Sequence, residues 1–360
     1  MAPHAPHLDD LIGVLARVVH RLAPPSAKNT VADLVAYESR TLDELFPAPA
    51  RLPVVLVKRR WRAFGLESDL AWFPSQHRPL EPRFARRYQG YRANHTVWTR
   101  WVRPAAGVGR PRLVYLHGFM QPETPLEEIG LLTTLATQMG VEVVQVQPPY
   151  HGRRRPRGSR FDGELFFTAD VVRTIEALRQ SILDARTVLS WLLAQDDRPV
   201  GVAGLSLGGA LAAALTCLEP RFSFSAPIIG HMDVAATFAD APVLESVRRE
   251  LRALGFEPAD LARLFDRVGW SGLRPRIPPH RIRIFAASDD HFFRPALVEA
   301  MWRRWAEPPI RWYPCSHMGF LAHLPDAIAR MGELVDEVDR ETRPGPRPPE
   351  APDRLVKTMR

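Results

Sequence analysis

The sequence predicts an α/β protein, a mostly parallel sheet with helices on both faces and a helical cap inserted late in the chain. Three observations predict it. Apolar runs at 113–116, 141–146, 200–205, 222–228 and 282–287 alternate with segments of helical periodicity, the rhythm of β-α-β units. One of those runs continues through Gly204-Leu205-Ser206-Leu207-Gly208 into an alanine-rich stretch, so a strand turns directly into a helix. Finally, two amphipathic helical patterns at 243–254 and 259–268 interrupt the alternation between 232 and 276, a span too long for a bare loop.

Taken in order, residues 1–83 read as an N-terminal helical extension, with amphipathic patterns at 8–22 and 31–45. The α/β domain reads as 84–340. It opens with two antiparallel strands, 87–91 and 95–102, the second alternating Val97, Thr99 and Trp101 on one face. Strand 113–116 ends in His117-Gly118-Phe119, and a helix at about 126–139 and the strand 141–146 follow. A basic loop leads to a long helix over 165–193, whose Val172, Ile175, Leu178, Ile182 and Leu189 keep near a 3.6-residue spacing. After the cap, strands are expected at 282–287 and 310–313 and helices at 295–305 and 319–338. Residues 341–360, rich in Pro and Arg and without periodicity, read as a disordered tail.

The net charge of +8 raises the question of nucleic acid or anionic membranes. Only Lys28, Lys58 and Lys357 stand against a large excess of arginine, so the charge reads as compositional bias, and no nucleic-acid fold signature accompanies it. Cys217 and Cys315 are too few for a disulfide framework or a thiolate metal site. A reducing, cytoplasmic setting is therefore expected. No stretch approaches the roughly 20 apolar residues of a membrane span, and Asp9, Asp10 and Arg17 break any signal-peptide pattern. Peripheral membrane contact stays compatible with this reading, and the oligomeric state is open.

Chemistry in a parallel sheet gathers at the C-terminal ends of its strands. A strand–G-x-S-x-G–helix turn thrusts the Ser206 hydroxyl clear of the backbone there, as a nucleophile requires. Serine needs a base held by a third group. The base is His317, in Tyr313-Pro-Cys-Ser-His317-Met-Gly319, between the last strand and the last helix. His151 and His231 also follow strands but precede the expected acid, and His323 falls within the last helix. The acid ends the preceding strand at Ser288-Asp289-Asp290, with Asp290 preferred and Asp289 the alternative. An oxyanion needs two preorganised donors, here the N–H groups of Leu207, at a helix start, and of Phe119.

These residues resemble the α/β-hydrolase superfamily over about 95–338, in its order of His-Gly loop, elbow, cap, acid and histidine. A closer likeness is to the group known as α/β-hydrolase domain-containing protein 18. Its P-Y-x-G-x-R-x-P loop is matched by Pro149–Pro156, its L-x-W-L by Leu189-Ser-Trp191-Leu192, and its G-x-S-x-G-G by Gly204–Gly209. The N-terminal third departs from that group. The resemblance implies a cofactor-free, metal-free serine hydrolase acting on a carboxylic ester of a small molecule or lipid. An acyltransferase or thioesterase on the same triad, or a catalytically silent binding scaffold, is the alternative. Arg153, Arg154 and Arg155 open a cluster of five arginines within residues 153–160, and they are candidates for holding an anionic substrate group. A solvated loop is the competing reading. The apolar face of the cap helix, Leu244, Val247, Leu251 and Leu254, is a candidate acyl pocket against ordinary core packing.

Overall fold

Uninterrupted apolar runs form strands that can only be covered on both faces, and the central strands are of that kind. The structure, a computed structural model, describes residues 9, 10, 13, 14, 31–107, 109–268 and 270–342. Strands β1 (Leu56–Ala63), β2 (Leu66–Pro74), β3 (Thr96–Pro104), β4 (Arg112–Leu116), β5 (Glu142–Val146), β6 (Val200–Leu205), β7 (Phe224–Ile228), β8 (Ile284–Ala287) and β9 (Ile310–Tyr313) make one sheet. Its order is β1-β2-β3-β5-β4-β6-β7-β8-β9. β1, β2, β3 and β5 pair antiparallel, and from β5 to β9 every pairing is parallel. β4, β5, β7 and β8 are buried along their whole length.

Helices cover both faces. On one side lie α3 (Val171–Leu193) and α4 (Leu207–Leu218), in a core with Val114, Val144 and Val202. On the other, α2 (Thr133–Met139) and α9 (Leu324–Thr342) pack on Leu113, Val143, Ala203 and Phe285. The cap helices α5 (Val234–Asp240), α6 (Glu245–Ala253) and α7 (Pro258–Val268) lie between β7 and β8. α8 (Pro295–Arg304) joins β8 to β9.

The N-terminal third differs from its expected helical character. Residues 56–74 form a hairpin, turned at Phe64-Gly65 with both φ positive (52° and 72°), as a two-residue turn demands. The hairpin escapes sequence reading because β1 is an edge strand exposed on both faces, with Lys58, Arg59 and Arg60 replacing alternation. Cross-strand ion pairs hold it instead: Asp69 receives Arg59 and, at 2.7 Å, Arg103. Residues 87–91 are likewise no strand. Pro82 at the first position and Glu81, accepting from Arg83 N at 2.8 Å, start helix α1 (Pro82–Tyr88) there. The pattern at 31–45 becomes short helical turns broken at Thr41, which caps Leu42–Leu45. Most of 8–22, and the tail beyond 342, lie outside the described residues.

The long helix starts at Val171, six residues later than its apolar spacing suggested. Asp170 caps it, accepting from Arg173 N at 3.2 Å. Almost every residue of α3 is buried, including Arg173, Glu176, Arg179, Asp184 and Arg186. Residues 37–46 account for much of this by lying over its polar face. Tyr37 Oη–H donates to Glu176 at 2.6 Å, Arg179 Nε–H to the Leu45 carbonyl at 2.7 Å, and Arg186 to the Phe46 carbonyl at 2.6 Å. Burial alone would raise the Glu176 carboxyl, but Arg179, His77 and Tyr37 together bring it down to about 2. Replacing Arg179 by Met takes the buried cation away from that carboxylate and leaves the Leu45 carbonyl without its donor. We expect a loss of about 3–5 kcal/mol in urea unfolding, whereas the exposed Arg40→Met changes little.

Candidate active site

Ser206 sits where β6 becomes α4, with φ 59° and ψ −115°, a conformation L residues rarely adopt. Neighbouring glycines make that turn possible. A Cβ on Gly204 would stand 2.2 Å from the Gly208 carbonyl oxygen, and one on Gly208 only 1.9 Å from that of Leu116. Backbone bonds then fix the turn, Ser206 N–H donating to Ile228 O and Ala210 N–H to Ser206 O, both at 2.9 Å. The side chain is left free to project.

His317 Nε2 lies 2.9 Å from Ser206 Oγ, and its Nδ1 lies 2.7 Å from Asp290 Oδ2. A carboxylate only accepts, so Nδ1 carries the proton and Nε2 is free to accept from the hydroxyl. Asp290 is buried, and its second oxygen accepts from Phe292 N and Phe293 N, each at 2.7 Å. Asp289 points outward, 64% exposed, toward His291. The Phe292 and Phe293 rings flank the imidazole, with centroids at 4.9 and 5.7 Å. Sequence reasoning did not single these two rings out.

The His117-Gly118-Phe119 loop comes alongside: a Cβ on Gly118 would be 3.6 Å from that of Ser206. His117 Nδ1–H donates to the Gly118 carbonyl at 2.8 Å, and its ring stands edge-on to His151 at 5.1 Å. Gln121 Oε1 accepts from Gly118 N at 3.1 Å, while its amide nitrogen bonds Glu127. Burial pushes Glu127 up to about 7, despite Arg100 at 3.4 Å. Glu127 opens the π-helical turn Glu127–Leu132 that leads into α2.

A cavity of about 530 Å³ spans these parts. Ser206, His317, Phe119 and Leu207 line it, and its other walls are mostly apolar: Leu131, Phe167, Val243, Leu244, Phe292 and Leu321. Of the cap residues weighed as an acyl pocket, Leu244 faces the cavity. Val247 and Leu251 are buried in the core, and Leu254 packs against it. Among the described residues, no group of three His, Cys, Asp or Glu has the arrangement to hold a metal ion. No helix among them is long and apolar enough to cross a membrane.

The structure corrects the reading of Arg153, Arg154 and Arg155 as anion binders. None lines the cavity. Arg154 is fully buried, paired with Asp184 at 2.8 Å and donating to the Gln147 and Asn94 carbonyls. Arg153 lies over the Trp98 ring and meets Glu123 at 3.2 Å, and Arg155 meets Asp162 at 3.3 Å. Each of these three guanidiniums already meets a carboxylate of this chain.

A family model described as the alpha/beta hydrolase family matches residues 113–357. The chain is 28% identical over 340 residues to an uncharacterized Mycobacterium tuberculosis (strain H37Rv) protein, Rv2627c, a match covering 88% of this chain and 77% of that one. Its fold is similar to an acetyl xylan esterase from Paenibacillus sp. R4, with TM-score 0.55 at 16% identity, over 88% of this chain and 98% of that chain. An acetyl xylan esterase 1 from Thermoanaerobacterium sp. JW/SL YS485 is similar at TM-score 0.54 and 15% identity, with the same coverage. The narrower likeness to domain-containing protein 18 remains one of motifs.

Burial depresses three histidines around this site, His117 to about 4, His231 to about 3, and His151 well below its ordinary value. Each is neutral when folded and takes up a proton on unfolding below about pH 6.5. Their contribution is complete above that pH and is lost as pH falls toward the folded values. Glu127 works the other way, its contribution fading as pH rises through about 7. His231 Nδ1 accepts from Asp233 N at 3.0 Å, an acceptor that an Asn oxygen can replace. His231→Asn should therefore flatten the acid-side slope of urea stability between pH 6.5 and 4. An unchanged slope would show that His231 is protonated in the folded protein.

Proposed function

The chain belongs to the alpha/beta hydrolase family, and from that premise we propose that it is a serine esterase cleaving carboxylic esters with an apolar acyl group. The observation that carries the proposal is the continuous Ser206–His317–Asp290 relay on the wall of a largely apolar cavity. Similarity in fold to two acetyl xylan esterases fits an esterase and says nothing further about the substrate.

In this reading, His317 Nε2 takes the Ser206 proton as Oγ attacks the ester carbonyl. The oxyanion is held by the N–H groups of Phe119 and Leu207. Leu207 suits the task because the first turn of α4 leaves its amides without intrahelical acceptors. Asp290 holds the imidazole in the required tautomer and stabilises the imidazolium. That proton then passes to the leaving alkoxide, giving the alcohol and an acyl-serine. Water, deprotonated by the same Nε2, attacks the acyl carbonyl, and the proton returns to Ser206 as the acid departs. Two free cysteines suit a reducing, cytoplasmic setting for this chemistry.

Ser206→Ala should abolish fluorophosphonate labelling and ester turnover with the melting temperature nearly unchanged. Labelling that persists in the variant would overturn the assignment. Asp290→Asn should lower kcat by up to about 10⁴, with Asp289→Asn close to wild type; equal losses would remove Asp290 from its role.

The cavity makes a further demand. Val243 lies on its wall, so Val243→Trp should shorten the space for the acyl chain. The kcat/KM ratio of octanoyl to acetyl p-nitrophenyl esters should fall about tenfold or more. A ratio that does not move would mean the acyl group binds elsewhere.

A further inference from the structure

We propose that Asp9 is a positioning residue of this active site, its carboxylate tying the loop that carries the acid to the loop that carries the base. The proposal rests on the esterase reading. Asp9 is fully buried, although it lies far from the site in sequence. Its Oδ2 accepts from His317 N at 2.9 Å and from His291 N at 3.2 Å, and its Oδ1 accepts from Met318 N at 3.1 Å. His317 and His291 are, respectively, the base itself and the neighbour of the acid.

These amides need an outside partner. His317 leads into the 3₁₀ turn Met318–His323, and no side chain of the turn itself caps it. The first amides of such a turn have no carbonyl of their own to meet. Asp9 supplies both oxygens, one to each of two successive N–H groups, with a bond to the acid loop as well. A carboxylate can do this because it accepts in several directions at once, and its charge strengthens every bond.

The same N-terminal segment also touches the cap. A Cβ on Gly13 would stand 2.7 Å from Pro242 Cβ, and Val243 and Leu244 beside it line the cavity. Asp10 pairs with the His291 ring at 3.1 Å but is itself exposed. Its bond lies at the rim, so Asp10 serves as the control position.

The test is Asp9→Asn in the full-length protein. An amide keeps the size of the carboxylate but turns one oxygen into a donor that faces a backbone N–H. With the base loop free to shift, kcat should fall by about 10², while KM for a soluble ester holds and Asp10→Asn stays at the wild-type rate. Turnover is divided by the active fraction from fluorophosphonate titration, so a merely misfolded population is removed from the comparison. The proton on His317 Nδ1, bonded to Asp290, should shift or broaden in the low-field NMR spectrum of Asp9→Asn.

Wild-type kcat per active site in Asp9→Asn would overturn the proposal, as would a loss confined to KM. Should Asp9→Asn fail to fold, hydrogen exchange of the His317 and Met318 amides in the wild-type chain decides. Slow exchange supports the bonds to Asp9, and exchange at solvent rates overturns them. Turnover surviving in Ser206→Ala would instead unseat the esterase reading, leaving the exchange result to judge Asp9 on its own.

Discussion

The backbone at Ser206 is held where serine would not go by choice, and much of the site follows from what holds it there. A positive φ at a non-glycine residue costs on the order of 1–3 kcal/mol and survives only when its surroundings over-determine it. Here the surroundings are the close passage of β6 and α4, possible because Gly204 and Gly208 carry no side chain. Two backbone bonds, to Ile228 and from Ala210, stitch the turn to β7 and to the helix. The same approach brings the β4 end close, with Gly118 beside Ser206. The geometry at Ser206 and helix–sheet packing are thus one constraint.

A second constraint runs through α3. A helix buried on all sides needs every charge on it answered, and this one carries five. Asp184 is answered by Arg154 and Ser75, Glu176 by Arg179, Tyr37 and His77, and Arg186 by Glu219 and the Phe46 carbonyl. Both the N-terminal third and the basic loop are therefore partners of a buried helix. Arg154, the buried member of the arginine cluster, is held there against Asp184 and does not line the cavity. Isolated ion pairs at a surface add little, but breaking one inside a protein leaves an unpaired charge out of water.

The central sheet, and the meeting of Ser206, Asp290 and His317 at one end of it, were legible from local signals and chain order. Apolar runs mark covered strands, G-x-S-x-G marks a tight turn, and chain order separates His317 from His151 and His231. The hairpin at 56–74 was not legible, since an exposed edge strand needs no apolar alternation and Phe64-Gly65 is no standard turn pair. Nor was the late start of α3, because Phe166 and Phe167 are buried in turns with the same apolar character as a helix face. Asp9 carried no signal at all. A carboxylate that meets backbone amides across the fold leaves no spacing, motif or partner residue in the sequence.

The sheet explains why such distant ties matter. Ser206 stands on β6, whose neighbours β4 and β7 each run beside it over five residue pairs. Asp290 and His317 follow β8 and β9, four residues each, at the sheet's edge. β8 meets β7 at Ile228 and Phe285 and at one bridge further back, Ser225 to Ile282. Ser206 is therefore placed by the ladder itself, while Asp290 and His317 hang from a lightly paired border. Their alignment has to come from outside the ladder: two amides on Asp290, two phenylalanine rings about the imidazole, and a carboxylate from the N-terminal segment on the backbone of His317. The 2.9 Å contact between His317 and Ser206 thus joins a residue placed by the ladder to one held by ties from outside it.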